Sequence, residues 1–374
     1  MLTGSPLLMY LAGLLLGLVA GFFMHRSDYC VAGMFRDAFL FRNIGLLRAL
    51  LLQIVATMII FEVARLFGLL PLYPFPLLGS PSLANVVGGL LFGVGMVLAG
   101  GCVVGTLYKM GSGSLVSGLA FVGIIVGSGL YAEIHPWWVG FVKATAFMNG
   151  KITLAQATGL PQSLLVGLAV LLAGPVFFKW RRERRWLTPA AVAGYVQPWQ
   201  TALVLAGLGL LSYLLVGMPM GISTTYTKMA AMAENLLAPE HVRQVAYFWL
   251  VPLDVVHPVS GALMRGGAGP LIDTIWAIQF PLIVGVVLGS GLSAFLLREF
   301  AVHLRVPAGQ LVMAFSGGIM VGLASRMAPA CNVWHLMGGL PILALQSMLF
   351  LVGLAPGAWL GGKLVSWVLL RKSG

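Results

Sequence analysis

Residues 88–102 read GGLLFGVGMVLAGGC, and residues 317–331 read GGIMVGLASRMAPAC. Laid over one another without a gap, Gly88, Gly89, Gly93, Ala99 and Cys102 fall on Gly317, Gly318, Gly322, Ala328 and Cys331. An apolar chain yields matched glycines and alanines by chance. It does not easily yield a matched cysteine when it holds 3 in all. The two stretches are therefore read as copies of one unit, each an apolar helix carrying small residues at the spacing used where membrane helices pack closely.

The rest of the chain agrees with a membrane setting. Of 374 residues, 59% are apolar and 9% charged, with a mean hydropathy of +0.98. Soluble domains carry about 25% charged residues, so a water-soluble enzyme is excluded. Residues 66–108, 186–227 and 327–362 contain no Asp, Glu, Lys or Arg. About 20 apolar residues cross a bilayer, so each run holds more than one membrane segment. Nine crossings are predicted, at roughly 7–23, 46–64, 85–101, 114–132, 161–178, 200–220, 280–297, 310–325 and 341–362. The fold class is an all-α polytopic membrane protein with re-entrant short helices or loops. The first 25 residues lack a basic n-region and an A-x-A cleavage site, and are read as a retained helix.

The net charge of +12 is a topology signal and not a nucleic-acid footprint, because the charges cluster between neutral runs. The strongest cluster, Arg181 to Arg185, is assigned to the cytoplasm. Counting crossings outward puts the amino terminus in the periplasm and the carboxyl terminus in the cytoplasm of a bacterial inner membrane. Seven of the 22 basic residues then lie outside: Arg65, Lys143, Lys151, Lys228, Arg243, Arg265 and Arg326. The crossings that precede Cys102 and Cys331 run in opposite directions. One transport domain is expected, made of half repeats 1–178 and 200–374 in inverted orientation around a basic linker, 179–199. Inverted repeats place a substrate near the bilayer midplane, on broken helices. Gly13, Gly17 and Gly21 open the first half, with Gly217 and Gly221 as their echo. Residues 133–160 and 221–279 resist this scheme; they are expected outside the core, the second as an extramembrane or interfacial insertion.

Each cysteine stands where an apolar helix gives way to glycine, proline or polar residues: His25 to Gly33 around Cys30, Gly100-Gly101-Cys102, and Pro329-Ala330-Cys331-Asn332. Such sequences break helices. Irregular backbone at membrane depth is tolerated where it is buried in protein or lines a cavity. A new half-helix leaves free N–H groups that suit an anion, and a thiol beside them offers a soft sulfur. The bland alternative, three small buried hydrophobes, does not explain why all three cysteines sit at breaks.

These residues resemble the YeeE/YedE family of bacterial inner-membrane transporters, in RSDYCVAGMFRD (26–37), in the 88–102 stretch and in PACN (329–332). The resemblance covers most of the chain and is loose in 133–160 and 221–279. It implies uptake of thiosulfate past three cysteines, matching Cys30, Cys102 and Cys331. It also implies a cytosolic TusA-like sulfur-carrier protein as a partner, which is not fused here. Members named YedE are linked to selenium, so transport of a selenium compound is an alternative, and an intramembrane thiol sulfurtransferase is another. The candidate substrate-binding residues are Cys30, Cys102, Cys331, Gly101, Arg26, Asn332 and Arg326. Arg36, Asp28 and Asp37 near Cys30, and Lys109 after Cys102, are weighed as anion-steering groups against simple anchors. Glu133, His135 and His335 are expected at membrane interfaces. No Gly-x-x-x-x-Gly-Lys-Ser/Thr motif occurs, and no cofactor or metal is expected.

Overall fold

The computed structural model describes residues 6–148, 150–188, 193–257 and 261–370. Among them, nine stretches are long and apolar enough to cross a membrane. The first four are broken or continuous as follows. Helix α1 (Pro6–Arg26) stops at a turn, and α2 (Val31–Leu40) restarts behind Cys30. Helix α3 (Gly45–Leu66) is continuous. Helix α4 (Leu83–Leu98) breaks at 99–102 and resumes as α5 (Val103–Gly111). Helix α6 (Leu115–Thr145) runs 31 residues, so 133–145 continues a crossing instead of forming a surface segment.

After the short α7 (Leu154–Thr158), α8 (Gln162–Arg182) crosses at the periphery. The second half opens with α9 (Pro198–Val216). The chain then passes through 217–222 into α10 (Ser223–Leu237), followed by α11 (Pro239–Gln244). A small antiparallel hairpin pairs β1 (Leu253–Val256) with β2 (Leu263–Gly266). Then come α12 (Thr274–Leu297), α13 (Ala308–Met327), a π-helical turn at Trp334–Gly339, and α14 (Leu345–Leu370).

Glycine explains how the long helices meet. A Cβ on Gly13, Gly17 or Gly21 of α1 would strike the carbonyls of Ile278, Leu282 and Val286 on α12, and Gly285 and Gly289 face Leu14 and Leu18 in return. The same reciprocal contact joins α4 to α14, through Gly89 and Gly93 against Gly353 and Gly357, and α6 to α13, through Gly123 and Gly127 against Gly318 and Gly322. Without side chains in the seam, backbones approach to van der Waals contact, which is what drives association where lipid offers no hydrophobic contrast. Helices α4 and α13 also cross, Gly95 against Gly317. So the two stretches with matched cysteines pack on each other.

Two sequence expectations change here. Gly217 and Gly221 are not a second glycine seam. Gly217 is the left-handed C-cap of α9 (φ +74°), and Gly221 lies against Trp334. The segment 221–279 is not wholly outside the core either. Helix α10 buries Ser223, Thr225, Tyr226, Thr227, Lys228 and Ala231 and packs on α6 and α12. Its Lys228, wholly buried, donates to the carbonyls of Gly269 (3.0 Å) and Leu271 (2.7 Å) and pairs with Asp273 at 2.7 Å. Buried charge persists only when paired and hydrogen-bonded, and this pair holds α10 to the start of α12. At the far end of α10, His241 contacts Glu234 and lies 3.6 Å from Glu133, tying α6 to α10 and α11.

Candidate functional site

All three cysteines are free and at most 1% exposed. The local sequence explains each position. After α1, Asp28 takes a left-handed conformation (φ +46°), and Tyr29 N–H bonds back to the Met24 carbonyl at 2.9 Å. Fully buried Tyr29 donates to Gln53 Oε1 at 2.6 Å. That anchor fixes the turn and leaves Cys30 as the extended N-cap of α2. At the second break, Gly100 supplies a left-handed residue (φ +69°), and Gly101 lies so close to the first turn of α5 that a Cβ would meet Thr106 N at 3.0 Å. Cys102 caps α5, its sulfur accepting from Gly105 N–H at 3.3 Å.

The two thiols meet over Gly105. A Cβ there would stand 3.0 Å from Cys30 Sγ and 3.3 Å from Cys102 Sγ. Cys102 also lies within electrostatic reach of Cys331 and faces the Asn332 side chain. Asn332 is fully buried, and both its amide atoms lack a conventional hydrogen-bond partner. Such a group normally pairs with protein or a bound molecule. Around Cys331, the backbone amides of Ile222, Val333 and Trp334 turn toward the sulfur, and the Arg326 charge acts on it. Arg326 itself donates to Ser223 Oγ at 2.6 Å and Thr224 Oγ1 at 3.2 Å, clamping the start of α10.

Not every candidate joins this cluster. Arg26 donates to the Gly194 carbonyl at 3.0 Å and stacks over Phe22, so it is turned to the linker. Arg36 pairs with Asp37 at 2.8 Å, and Lys109 bonds the Gly100 carbonyl at 2.7 Å, where it caps the broken helix. His335 is not interfacial: it is wholly buried, bonded to Ser347 and the Ala328 carbonyl and stacked on Phe350. There it supports the α13 break. Sequence reasoning missed two tyrosines. Tyr226 of α10 donates to the Val103 carbonyl at 3.2 Å and faces both Cys102 and Cys331. Tyr108 of α5 lies beside Cys30 and donates to Asp28 Oδ1 at 2.8 Å. The signal for Tyr226 was present as Gly217-Met-Pro-Met-Gly221 before a Ser/Thr-rich helix start, the same break grammar as at the cysteines.

The three cysteines are shut off from solvent. A cavity of about 30 Å³ beside them, walled by Met24, Val104, Ile222, Val333 and Met337 among others, has room for a water or two. On the face that carries the basic linker, a vestibule of about 300 Å³ is lined by Ser27, Asp28, Asn43, Tyr195 and Gln197. Partial burial and the carboxylate of Glu299 push the Tyr195 hydroxyl up to about 12, so it stays a neutral donor.

Broken helices crossing at glycine seams, with soft ligands at the breaks, define a polytopic membrane protein with a buried, compact centre of transport type. The sequence-family model described as "Sulphur transport" matches residues 26–360, and the chain belongs to that family. Among its relatives, "Thiosulfate transporter TsuA" of Spirochaeta thermophila is 27% identical over 370 residues, covering 96% of this chain and 99% of that protein. The Escherichia coli protein of the same name is 27% identical over 358 residues, 96% of this chain and 95% of its own length. "Probable transporter YedE" of Escherichia coli is 30% identical over 161 residues, 43% of this chain and 38% of that one.

Proposed function

We propose that this protein imports thiosulfate or a closely related sulfur-containing anion across the bacterial inner membrane, handing it past Cys331, Cys102 and Cys30. The observation that carries this reading is the convergence of all three buried thiols at helix breaks, in a chain aligned over 96% of its length with thiosulfate transporters. The chemistry fits a soft dianion. Taking bare charge into a membrane is costly unless compensated. The amino termini of α2 and α5 and the amides facing Cys331 offer partial positive charge without a fixed cation at the thiols. A thiol donates a weak S–H hydrogen bond to a terminal sulfur. Weak sites in series hold an ion loosely enough to release it. Arg326 and Asn332 belong to the far-face half of this path, and Gly101 lets the α5 amides approach it. Arg26 acts at a distance in this reading, by anchoring the linker beside the vestibule.

The two halves, 1–178 and 200–374, work as inverted repeats around linker 179–199. The packing of α1 on α12 repeats that of α9 on α3, and α4 on α14 repeats α13 on α6, which supports this division. The linker face is cytoplasmic in this scheme, and a TusA-like carrier receives sulfur there. The test is uptake of labelled thiosulfate into proteoliposomes, with selenite and sulfate as competitors. Replacing Cys30, Cys102 or Cys331 singly by Ala is expected to lower uptake at least about tenfold, a barrier change of about 1.4 kcal/mol, with the protein still folded. Serine is expected to rescue poorly. Parental uptake by all three Ala variants would overturn the proposal.

A further inference from the structure

Tyr108 links the buried Cys30 thiol to Asp28, a residue of the linker-face vestibule. It is 2% exposed, lies beside the Cys30 thiol, and donates to Asp28 Oδ1 at 2.8 Å. Asp28 is exposed and lines the vestibule, whereas Cys30, two residues on, is 1% exposed and does not. The tyrosine hydroxyl is therefore shared between a carboxylate in the water-accessible space and the buried Cys30 sulfur. Both ends of the contact are held. Asp28 sits in a left-handed turn closed by the Asp28 N–H to His25 carbonyl bond (3.2 Å) and by the Tyr29–Gln53 anchor. Tyr108 is one turn past Gly105 on α5, whose far end Lys109 fastens to Gly100.

We infer that the Tyr108–Asp28 hydrogen bond is the latch of a linker-face gate, and that Tyr108 is the residue which hands an anion from Cys30 to the vestibule. The inference rests on the transport reading above. In the closed arrangement the phenol O–H is taken by the carboxylate, and the same hydroxyl sits against the Cys30 thiol. An anion at Cys30 competes for that same O–H, because a phenol has one proton to donate. When the O–H turns to the anion, the bond to Asp28 is lost and the ring is free to swing. The fixed negative charge of Asp28 then repels an anion lingering at the exit, favouring release. Opening is thus coupled to the arrival of cargo by a single shared donor. This assigns Asp28 a role different from anchoring the membrane surface, and it explains why an acidic residue stands on an anion's route.

The test reads thiol accessibility, so it needs no substrate. Intact full-length protein is placed in membrane vesicles of known sidedness and treated with a membrane-impermeant maleimide from each face in turn. Labelling of each cysteine is followed by peptide mass spectrometry. Tyr108→Phe keeps the ring and removes the latch; Asp28→Asn keeps an acceptor and removes the charge; Tyr195→Phe alters the vestibule wall without touching Cys30. Labelling of Cys30 from the linker face is expected to rise at least about fivefold in Tyr108→Phe and less in Asp28→Asn. Cys331 and the Tyr195→Phe protein are expected to stay at the parental rate. Unchanged Cys30 labelling in Tyr108→Phe overturns the gate, as does an equal rise in Tyr195→Phe or at Cys331, which signals general loosening. Should the cysteine-to-alanine variants transport normally while Cys30 labelling still responds, the thiol path fails and the gate stands.

Discussion

Gly105 shows how much one missing side chain does in this protein. Both inner sulfurs occupy the space its Cβ would fill, at 3.0 and 3.3 Å, and its N–H is the donor to Cys102. A methyl group there leaves the α5 backbone free to form, since alanine is the better helix former, but it wedges Cys30 from Cys102. Gly105→Ala is therefore expected to keep its thermal unfolding temperature within a few degrees of the parent. Thiosulfate uptake is expected to fall about tenfold, equivalent to about 1.4 kcal/mol on the limiting barrier. Unchanged uptake would mean that the two thiols do not act together. Tyr108, Tyr226 and Asn332 share this logic: each is polar, buried and close to a sulfur.

At the level of elements, stability rests on the glycine seams more than on the periphery. A Cβ on Gly93 would stand 2.6 Å from Ala358 N, and backbone on a packed helix has nowhere to go. Helix α8 is the opposite case: Gly167 has nothing within 4 Å, and little of that helix is buried. Gly93→Leu is expected to cost at least the roughly 1–3 kcal/mol typical of overpacking and to separate α4 from α14. Gly167→Leu is expected to stay within about 0.5 kcal/mol of the parent. Thermal unfolding in detergent with size-exclusion profiles measures both. Equal behaviour of the two variants would contradict a fold held by its seams.

For the molecule as a whole, the basic linker marks one face. The cluster Arg181 to Arg185 borders the same face as Arg26, which bonds Gly194, and Arg48, which bonds the Arg185 carbonyl at 3.2 Å. Basic residues gather on cytoplasmic loops, so a reporter fused after Gly374 is expected to be active in the cytoplasm. A reporter active only in the periplasm would invert the proposed direction of transport as well as the topology.

The membrane class, the nine crossings and the helix breaks were legible because they depend on local composition: twenty apolar residues can do little but cross, and Gly, Pro and Cys clusters interrupt a helix wherever they fall. Every expected crossing found its helix, with shifts such as α12 starting at Thr274 and α14 at Leu345. The packing role of the glycines before Cys102 and Cys331 was legible too, for the seams need small residues at fixed spacing. What the sequence did not carry was which polar groups meet. Arg26 and Asp28 are neighbours in the chain, yet one turns to the linker and the other to Tyr108, 80 residues away. Helix α10 read as surface because its segment carries Lys228, Glu234 and further charges, but folding gives Lys228 the carbonyls of Gly269 and Leu271, Ser223 and Thr224 the guanidinium of Arg326 on α13, and the Thr225 N–H the Gln279 side chain of α12. Burial of a polar side chain depends on partners brought from distant segments, and those partners exist only in the tertiary structure.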